Sequence, residues 1–254
     1  MSGTRDLYDA SADKWSRQEQ LLLSDFTARP RVLQAVGDVS GRHIWDLGCG
    51  EGFVGRQLAQ GKPDRIDGFD LSTEMVHLAR QQAGALGAEA GGPLHYLAAD
   101  LSDAAQLPSG SCDIAVAVFL FNYLTIEAME RILSRVREAL QPGGIFVFTV
   151  PHPSLAFLRR AEPPFYIEPD QHTYLGGSDA MFKGKIWRRD GVSNEIRSVH
   201  KTLTDYFQAL GNAGWEGLPH LEELGVTDDH LAVDPEFFSP LIGTPLHILF
   251  RLSV

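Results

Sequence analysis

Residues 43–55 constrain what this chain can fold into more than any other stretch. They read His-Ile-Trp-Asp-Leu-Gly-Cys-Gly-Glu-Gly-Phe-Val-Gly, a short apolar strand that ends on an acid, breaks into alternating glycines and continues as an amphipathic run. Gly48, Gly50 and Gly52 permit a tight turn in which backbone comes close to a ligand, and the helix that follows offers unpaired N–H groups to an anion. A nucleotide-like cofactor is expected at this turn. Gly50-x-Gly52-x-x-Gly55 also satisfies the dinucleotide fingerprint, and Asp70 stands about 20 residues on, where a ribose-binding acid is expected. Spacing alone therefore leaves the identity of the cofactor open.

The rest of the chain supplies a scaffold for such a turn. Hydrophobic patterning predicts a helix from Leu21 to Val36 interrupted near Pro30, a strand at 44–46, a helix at 52–60 and a strand at 65–70. A helix at 72–84 follows, opened by Ser72 as N-cap with Glu74 in its first turn. Strands are predicted at 95–98 and at 113–119, the second a continuous apolar run suited to the middle of a parallel sheet. A helix at 127–140, ended by Pro142-Gly143-Gly144, leads to an apolar strand at 145–150. This alternation predicts right-handed crossovers and an α/β, doubly wound, mostly parallel sheet.

After Val150 the rhythm changes. Residues 151–180 carry five prolines together with Phe157, Phe165, Tyr166 and Tyr174, which suits an irregular, aromatic-rich cover. Residues 183–199 read as a hairpin turning at Asp190-Gly191. A helix at 203–211, capped by Thr202 or Thr204, and strands near 222–226 and 246–252 complete the pattern.

At 254 residues the chain has the length of one α/β domain, and 44% apolar with 22% charged residues describes a globular protein. The formal net charge of −11 argues against a nucleic-acid backbone as partner, because phosphate binding needs clustered Lys and Arg. The two cysteines, Cys49 and Cys112, form no disulfide framework. No apolar run approaches the ~20 residues of a membrane helix, and the polar N-terminus does not read as a signal peptide. A cytoplasmic location without membrane contact is expected.

Asp-Leu-Gly-Cys-Gly-Glu-Gly (46–52) resembles the first motif of the class I S-adenosylmethionine (SAM)-dependent methyltransferases, especially the branch holding ubiquinone, menaquinone and many small-molecule enzymes. The likeness covers residues 8–150 well and the remainder more loosely. It implies a Rossmann-like seven-stranded sheet with an antiparallel last strand. It also implies a single domain over 1–254, with an N-terminal lid helix in 1–30 and an inserted acceptor cap at 151–200. In this family the turn around Asp46, Gly48, Cys49 and Gly50 meets the methionine end of SAM, a zwitterion that needs both donors and acceptors. Gly-Phe-Asp-Leu-Ser (68–72) resembles the second motif, giving Asp70 the ribose hydroxyls and Leu71 and Met75 the adenine. Ala-Ala-Asp-Leu (98–101) resembles the third, with Asp100 and the Leu101 amide at the adenine edge. Phe119 opens the stretch that flanks the methionine moiety, where many relatives carry His at the position of Asn122. Tyr8-Asp9 and Trp15 resemble the N-terminal aromatic pattern that closes over the cofactor.

The reaction so implied is methyl transfer from SAM to a small organic molecule, with the O, N or C acceptor open. Sulfonium chemistry carries its own leaving group, so proximity and orientation supply much of the catalysis, and a base matters only for some acceptors. His152, between two prolines after the fifth strand, and His200, at the end of the hairpin, are the candidate bases. The insert aromatics Tyr166, Tyr174 and Trp187 are expected to set acceptor specificity. No tight ligand spacing identifies a metal site. The rivals are a nicotinamide-dependent oxidoreductase on the Gly50-x-Gly52-x-x-Gly55 reading and a non-catalytic SAM-binding protein. The oligomeric state is open.

Overall fold

The computed structural model describes residues 6, 9, 19–86, 92–158, 163–168 and 171–254. Two sheets organise these residues. The larger has seven strands in the order β3-β2-β1-β4-β5-β10-β9: β1 (His43–Leu47), β2 (Arg65–Asp70), β3 (Leu94–Ala98), β4 (Cys112–Val118), β5 (Leu140–Pro151), β9 (His220–Leu224) and β10 (His247–Ser253). β1 to β5 pair in parallel, and β10 runs antiparallel to both its neighbours. The antiparallel last strand puts its first residue, His247, opposite Pro151 at the carboxyl end of β5. That end of an open α/β sheet is where ligands bind.

Local chemistry explains the helices that cover the sheet. In α4 (Thr73–Ala85) the Ser72 hydroxyl accepts from the Met75 amide at 3.1 Å, satisfying one of the orphan donors of the first turn. α5 (Ile126–Ala139) is capped by Thr125 and buries Ala128, Met129, Ile132, Leu133 and Val136 along one stripe. α6 (Leu203–Asn212) opens with a capping box, in which Thr202 and Asp205 exchange side-chain and backbone bonds of 3.1 and 2.7 Å. The apolar faces of α5 and α6 meet one side of the sheet around Phe146, Phe148 and Phe250. α2 (Arg29–Val36), α3 (Phe53–Ala59) and α4 cover the other side around Ile44, Ile66 and Val116. At ~1.5 to 3 kcal/mol for each fully buried large side chain, these two clusters hold the strand ends in place.

Between β5 and α6 the chain builds a second sheet of three antiparallel strands, β6 (Phe165–Ile167), β7 (Met181–Trp187) and β8 (Ser193–Val199). The hairpin turns at Asp190-Gly191, where Gly191 has φ 82°. Its packing cluster includes Leu23, Phe238 and Leu241 from distant parts of the chain.

Several sequence expectations differ from this architecture. The interruption expected near Pro30 falls at Ala28, between α1 (Leu23–Thr27) and α2, so that Pro30 lies in the first turn of α2, where its missing N–H costs nothing. Leu140 already pairs with Cys112, and the Pro142-Gly143-Gly144 segment is an irregularity within β5 instead of a separate helix stop. β6 lies in the stretch read as irregular cover: three residues between prolines are too short to show alternation. Most of the expected N-terminal lid, including Tyr8 and Trp15, lies outside the described residues. No helix among the described residues is long and apolar enough to cross a membrane.

Candidate functional site

A cavity of about 280 Å³ opens at the carboxyl ends of β1, β2, β4 and β5 and extends beneath the small sheet. Asp46, Gly48, Cys49, Gly50, Asp70, Leu71, Met75, Asp100, Leu101, Phe119, His152 and His200 all line it.

The glycine turn forms the floor. Gly50 has φ 55° and open space where a Cβ would stand, so the backbone there faces the cavity bare. At Gly52, φ 82°, a Cβ would lie 2.6 Å from the Tyr96 hydroxyl. Tyr96 on β3 thus acts as a buried post under the turn, a support between residues 44 apart that no local pattern announces.

Four acids gather at this edge of the sheet. Asp70 accepts from the Gly50 amide at 2.8 Å and the Ser72 amide at 3.0 Å, so one carboxylate joins the turn to the start of α4. Burial raises its pKa, and those two amides oppose the rise. Asp9 receives a hydrogen bond from the Ser72 hydroxyl, which brings one described residue of the N-terminal segment to the same edge. Asp46 is 1% exposed, and its Oδ2 has no hydrogen-bond partner among the described residues. Burial, and secondarily the charge of Asp70, push its pKa up to about 7. A buried carboxyl with an unfilled oxygen is costly unless a donor or a cation meets it. Asp100 holds the Ser102 amide at 3.0 Å through Oδ1 and lines the cavity beside buried Leu101.

These features fit SAM. A bare backbone turn, an acid at the end of β2 and an orphaned buried carboxyl offer donors for a carboxylate and acceptors for ribose hydroxyls and an ammonium.

The opposite wall is built from long-range contacts. Phe119 takes φ 59°, a left-handed conformation that costs a non-glycine residue ~1 to 2 kcal/mol, and its amide bonds the Thr149 carbonyl at 2.9 Å. The turn sets its ring edge-on to His247, with centroids 5.0 Å apart. Arg29, paired to Asp25 at 2.9 Å, lies over the rings of Phe119 and Phe53 at 5.5 and 5.9 Å. Lys201 is 2% exposed, and its Nζ donates to the carbonyls of Phe121 (3.0 Å), Leu124 and Val199 (3.4 Å). Burial lowers its pKa to about 8, against the pull of Asp179 and Asp205. It ties the end of the hairpin to the loop after β4.

Strand register decides which cap residues face the cavity. Phe165, Ile167, Phe182, Ile186, Ile196 and Ser198 share one face of the small sheet, since Phe165 pairs with Ile186, Ile167 and Ile196 with Gly184, and Phe182 with Ser198. All six line the cavity. Tyr166 and Trp187, expected to contact the acceptor, are one residue out of phase with that face, and Tyr174 turns aside to receive the Leu203 amide at 3.1 Å and pack on His200. None of the three is among the cavity-lining residues.

The two candidate bases are tied by hydrogen bonds to different degrees, His152 through both ring nitrogens and His200 through Nε2. His152 accepts from the Ser154 amide at Nδ1 (3.2 Å), so its Nε2 carries the proton and donates to Glu223 at 2.8 Å. His200 donates from Nε2 to the Tyr174 carbonyl at 2.9 Å, amid Phe157, Tyr174 and Phe182. Burial lowers its pKa. A third cavity histidine, His247, was not visible as a candidate: it begins an apolar strand and carries no motif.

Comparison with known proteins agrees with this geometry. Residues 44–144 match the methyltransferase-domain family. The chain is 28% identical to N-demethylindolmycin N-methyltransferase of Streptomyces griseus over 76% of its own length and 73% of that protein. The crystal structure of a SAM-dependent methyltransferase from Mesorhizobium loti superposes with a TM-score of 0.65 at 28% identity, covering 89% of this chain and 96% of that one. Magnesium protoporphyrin IX methyltransferase from Synechocystis PCC 6803, solved with bound S-adenosylhomocysteine (SAH), shares the fold at TM-score 0.63 and 15% identity, over 99% and 98% of the two chains.

Proposed function

We infer from the cavity of this class I SAM-dependent methyltransferase that its two ends divide the labour: the glycine-turn end holds the cofactor, and the small sheet encloses a small, largely apolar acceptor. The observation that carries the reading is the continuity of one cavity from Asp46 and Gly50 to the inner face of β6, β7 and β8.

On this reading Asp46 receives the ammonium of SAM and the Gly48–Gly50 backbone its carboxylate. Asp70 takes the ribose hydroxyls, Leu71 and Met75 pack on the adenine, and Asp100 with the Leu101 amide reads the adenine edge. Phe119 borders the methionine moiety, with its ring held by Arg29 and His247. Bound SAM supplies an electrophilic methyl group on a sulfonium that leaves as a neutral thioether. The chain then has to exclude water and align the acceptor, and the apolar face of the small sheet suits both tasks. Both ring nitrogens of His152 are engaged, whereas His200, with Nε2 committed to Tyr174, keeps Nδ1 as its proton-accepting nitrogen in surroundings whose burial weakens it as a base. Residues 151–200 are the acceptor cap in this scheme. The relatives' small-molecule substrates support such an acceptor, and the free thiols of Cys49 and Cys112 suit the reducing cytoplasm.

Calorimetric titration with SAH tests the cofactor end. Micromolar or tighter binding is expected, and NADH binding of comparable strength would overturn the assignment. Methyl release from labelled SAM across a panel of small apolar amines, phenols and amides tests the acceptor end.

A further inference from the structure

Beyond the glycine turn, two cavity-lining residues each leave a hydrogen-bond acceptor without a partner among the described residues. Asn122 is 5% exposed, follows β4 in the loop held by Lys201, and leaves Oδ1 without a hydrogen bond among the described residues. His247 is 6% exposed at the start of β10 and leaves Nδ1 in the same condition. Both residues line the cavity.

The tautomer of His247 follows from its neighbours. The Thr27 hydroxyl donates its one proton to the Leu23 carbonyl at 3.0 Å, so towards His247 Nε2, also at 3.0 Å, it can only accept. The ring therefore carries its proton on Nε2 and a bare lone pair on Nδ1. Burial, then the positive charge of Arg29, lower its pKa to about 3. Phe119 closes one side of the ring edge-on. A nitrogen that cannot hold a proton is a poor base and a permanent hydrogen-bond acceptor. Each unfilled acceptor costs the fold free energy that a functional site recovers on meeting its ligand.

We propose that His247 Nδ1 and Asn122 Oδ1 select the methyl acceptor by receiving its N–H or O–H donors, so that the substrate is a neutral, largely apolar molecule carrying such donors. The inference rests on the methyl-transfer reading and deepens it. The third unfilled acceptor on a cavity-lining residue, Asp46 Oδ2, lies in the glycine-turn strand and belongs to the cofactor end; Asn194 Oδ1, also unfilled, is not on a lining residue. The lining from the small sheet is largely apolar, with Ser198 and Arg197 its polar exceptions, and suits a molecule with few polar groups.

The test uses the SAH-loaded full-length protein and matched probes: 4-ethylphenol against 4-ethylanisole, and indole against 1-methylindole, followed by ligand-observed NMR titration. The donor-bearing member of each pair is expected to bind roughly tenfold more tightly. Asn122→Leu, which removes the unfilled oxygen at similar volume, and His247→Gln, which keeps an atom near the Nε2 position and loses Nδ1, should each abolish that preference. His247→Asn, which keeps a polar atom near the Nδ1 position, should restore part of it. Asn122→Leu should melt at the parent temperature or above it, whereas a residue serving only the fold would melt lower. Equal binding of donor-bearing and capped probes, absence of binding by every probe, or a preference that survives both variants would overturn the proposal. So would a tenfold loss of SAH affinity in either variant, which would move the pair to the cofactor end. Failure of the parent protein to bind SAH would bring down the methyl-transfer reading itself, and the proposal with it.

Discussion

The two ends of the cavity are built differently. The proposed cofactor end is made of short consecutive segments: Asp46 to Gly52, Asp70 to Met75, Asp100 and Leu101. Each follows a strand and turns by backbone conformation, so its chemistry is carried by residue types at fixed spacing. The acceptor end joins Leu22, Asn122, His152, Phe182, Ile196 and His247, which share no segment. Its chemistry depends on strand register and on which side chain a neighbour leaves unfilled. A cofactor common to many enzymes is met by portable backbone motifs, whereas the acceptor is met by a surface assembled anew in each fold.

The largest effect that would break this division is at Gly50. With φ 55° and no wall near its missing Cβ, Gly50→Val places a branched side chain where the cofactor backbone contact belongs. SAH binding is expected to fall at least ~100-fold by calorimetry with the circular dichroism spectrum retained, a scale set by excluding a close contact and losing the Asp70 bond. Parent-like affinity would show that the turn does not hold the ligand.

Next is Asp70→Ala. Removing charge-assisted bonds to ribose and the links to the Gly50 and Ser72 amides should weaken SAH binding by ~2 to 4 kcal/mol. Binding unchanged in a folded variant would reduce Asp70 to a cap of the turn.

Asp46 sharpens the comparison through pH. Its pKa of about 7 in the unliganded protein means that the carboxylate fraction grows as pH rises from 6 to 8. SAH affinity should therefore rise by roughly five- to tenfold across that range if Asp46 meets the ammonium, and Asp46→Asn should be weak and flat. Folding stability runs the other way. The folded state holds this proton more tightly than the unfolded chain, so Asp46 contributes a loss of stability as pH climbs from about 4 to 7. Chemical denaturation of parent and Asp46→Asn at pH 5 and 7.5 checks the sign.

The smallest effect is expected at the cap. Ile196→Ala should leave SAH affinity within about 1 kcal/mol while weakening 4-ethylphenol binding, and Tyr166→Ala, one residue out of phase with the inner face, should change neither. A loss of SAH affinity at Ile196 would make the cap part of the cofactor lid.

The alternation of apolar runs and capped helices carried the parallel sheet, because a strand buried on both faces and a helix with Ser72 or Thr202 at its start are local events. β6 escaped because three residues between prolines show no period, and the choice of Tyr166 and Trp187 failed because period-two alternation fixes which residues share a face but not which face is inward. Tyr96, Lys201 and His247 left no motif. Their roles rest on partners 44, 80 and 220 residues away in sequence.

What the sequence alone determined is the glycine-turn end of the cavity: glycines that permit the turn, acids at the strand ends, and the alternation that brings these ends to one edge. Only the tertiary structure decided the acceptor end. The single hydroxyl proton of Thr27, spent on Leu23, leaves His247 with one bare nitrogen, and the β7–β8 register turns Phe182 and Ile196 inward. Backbone turns are fixed by residues adjacent in the chain, whereas unfilled hydrogen-bonding atoms and the inward face of a sheet are fixed by whatever the rest of the fold packs against them.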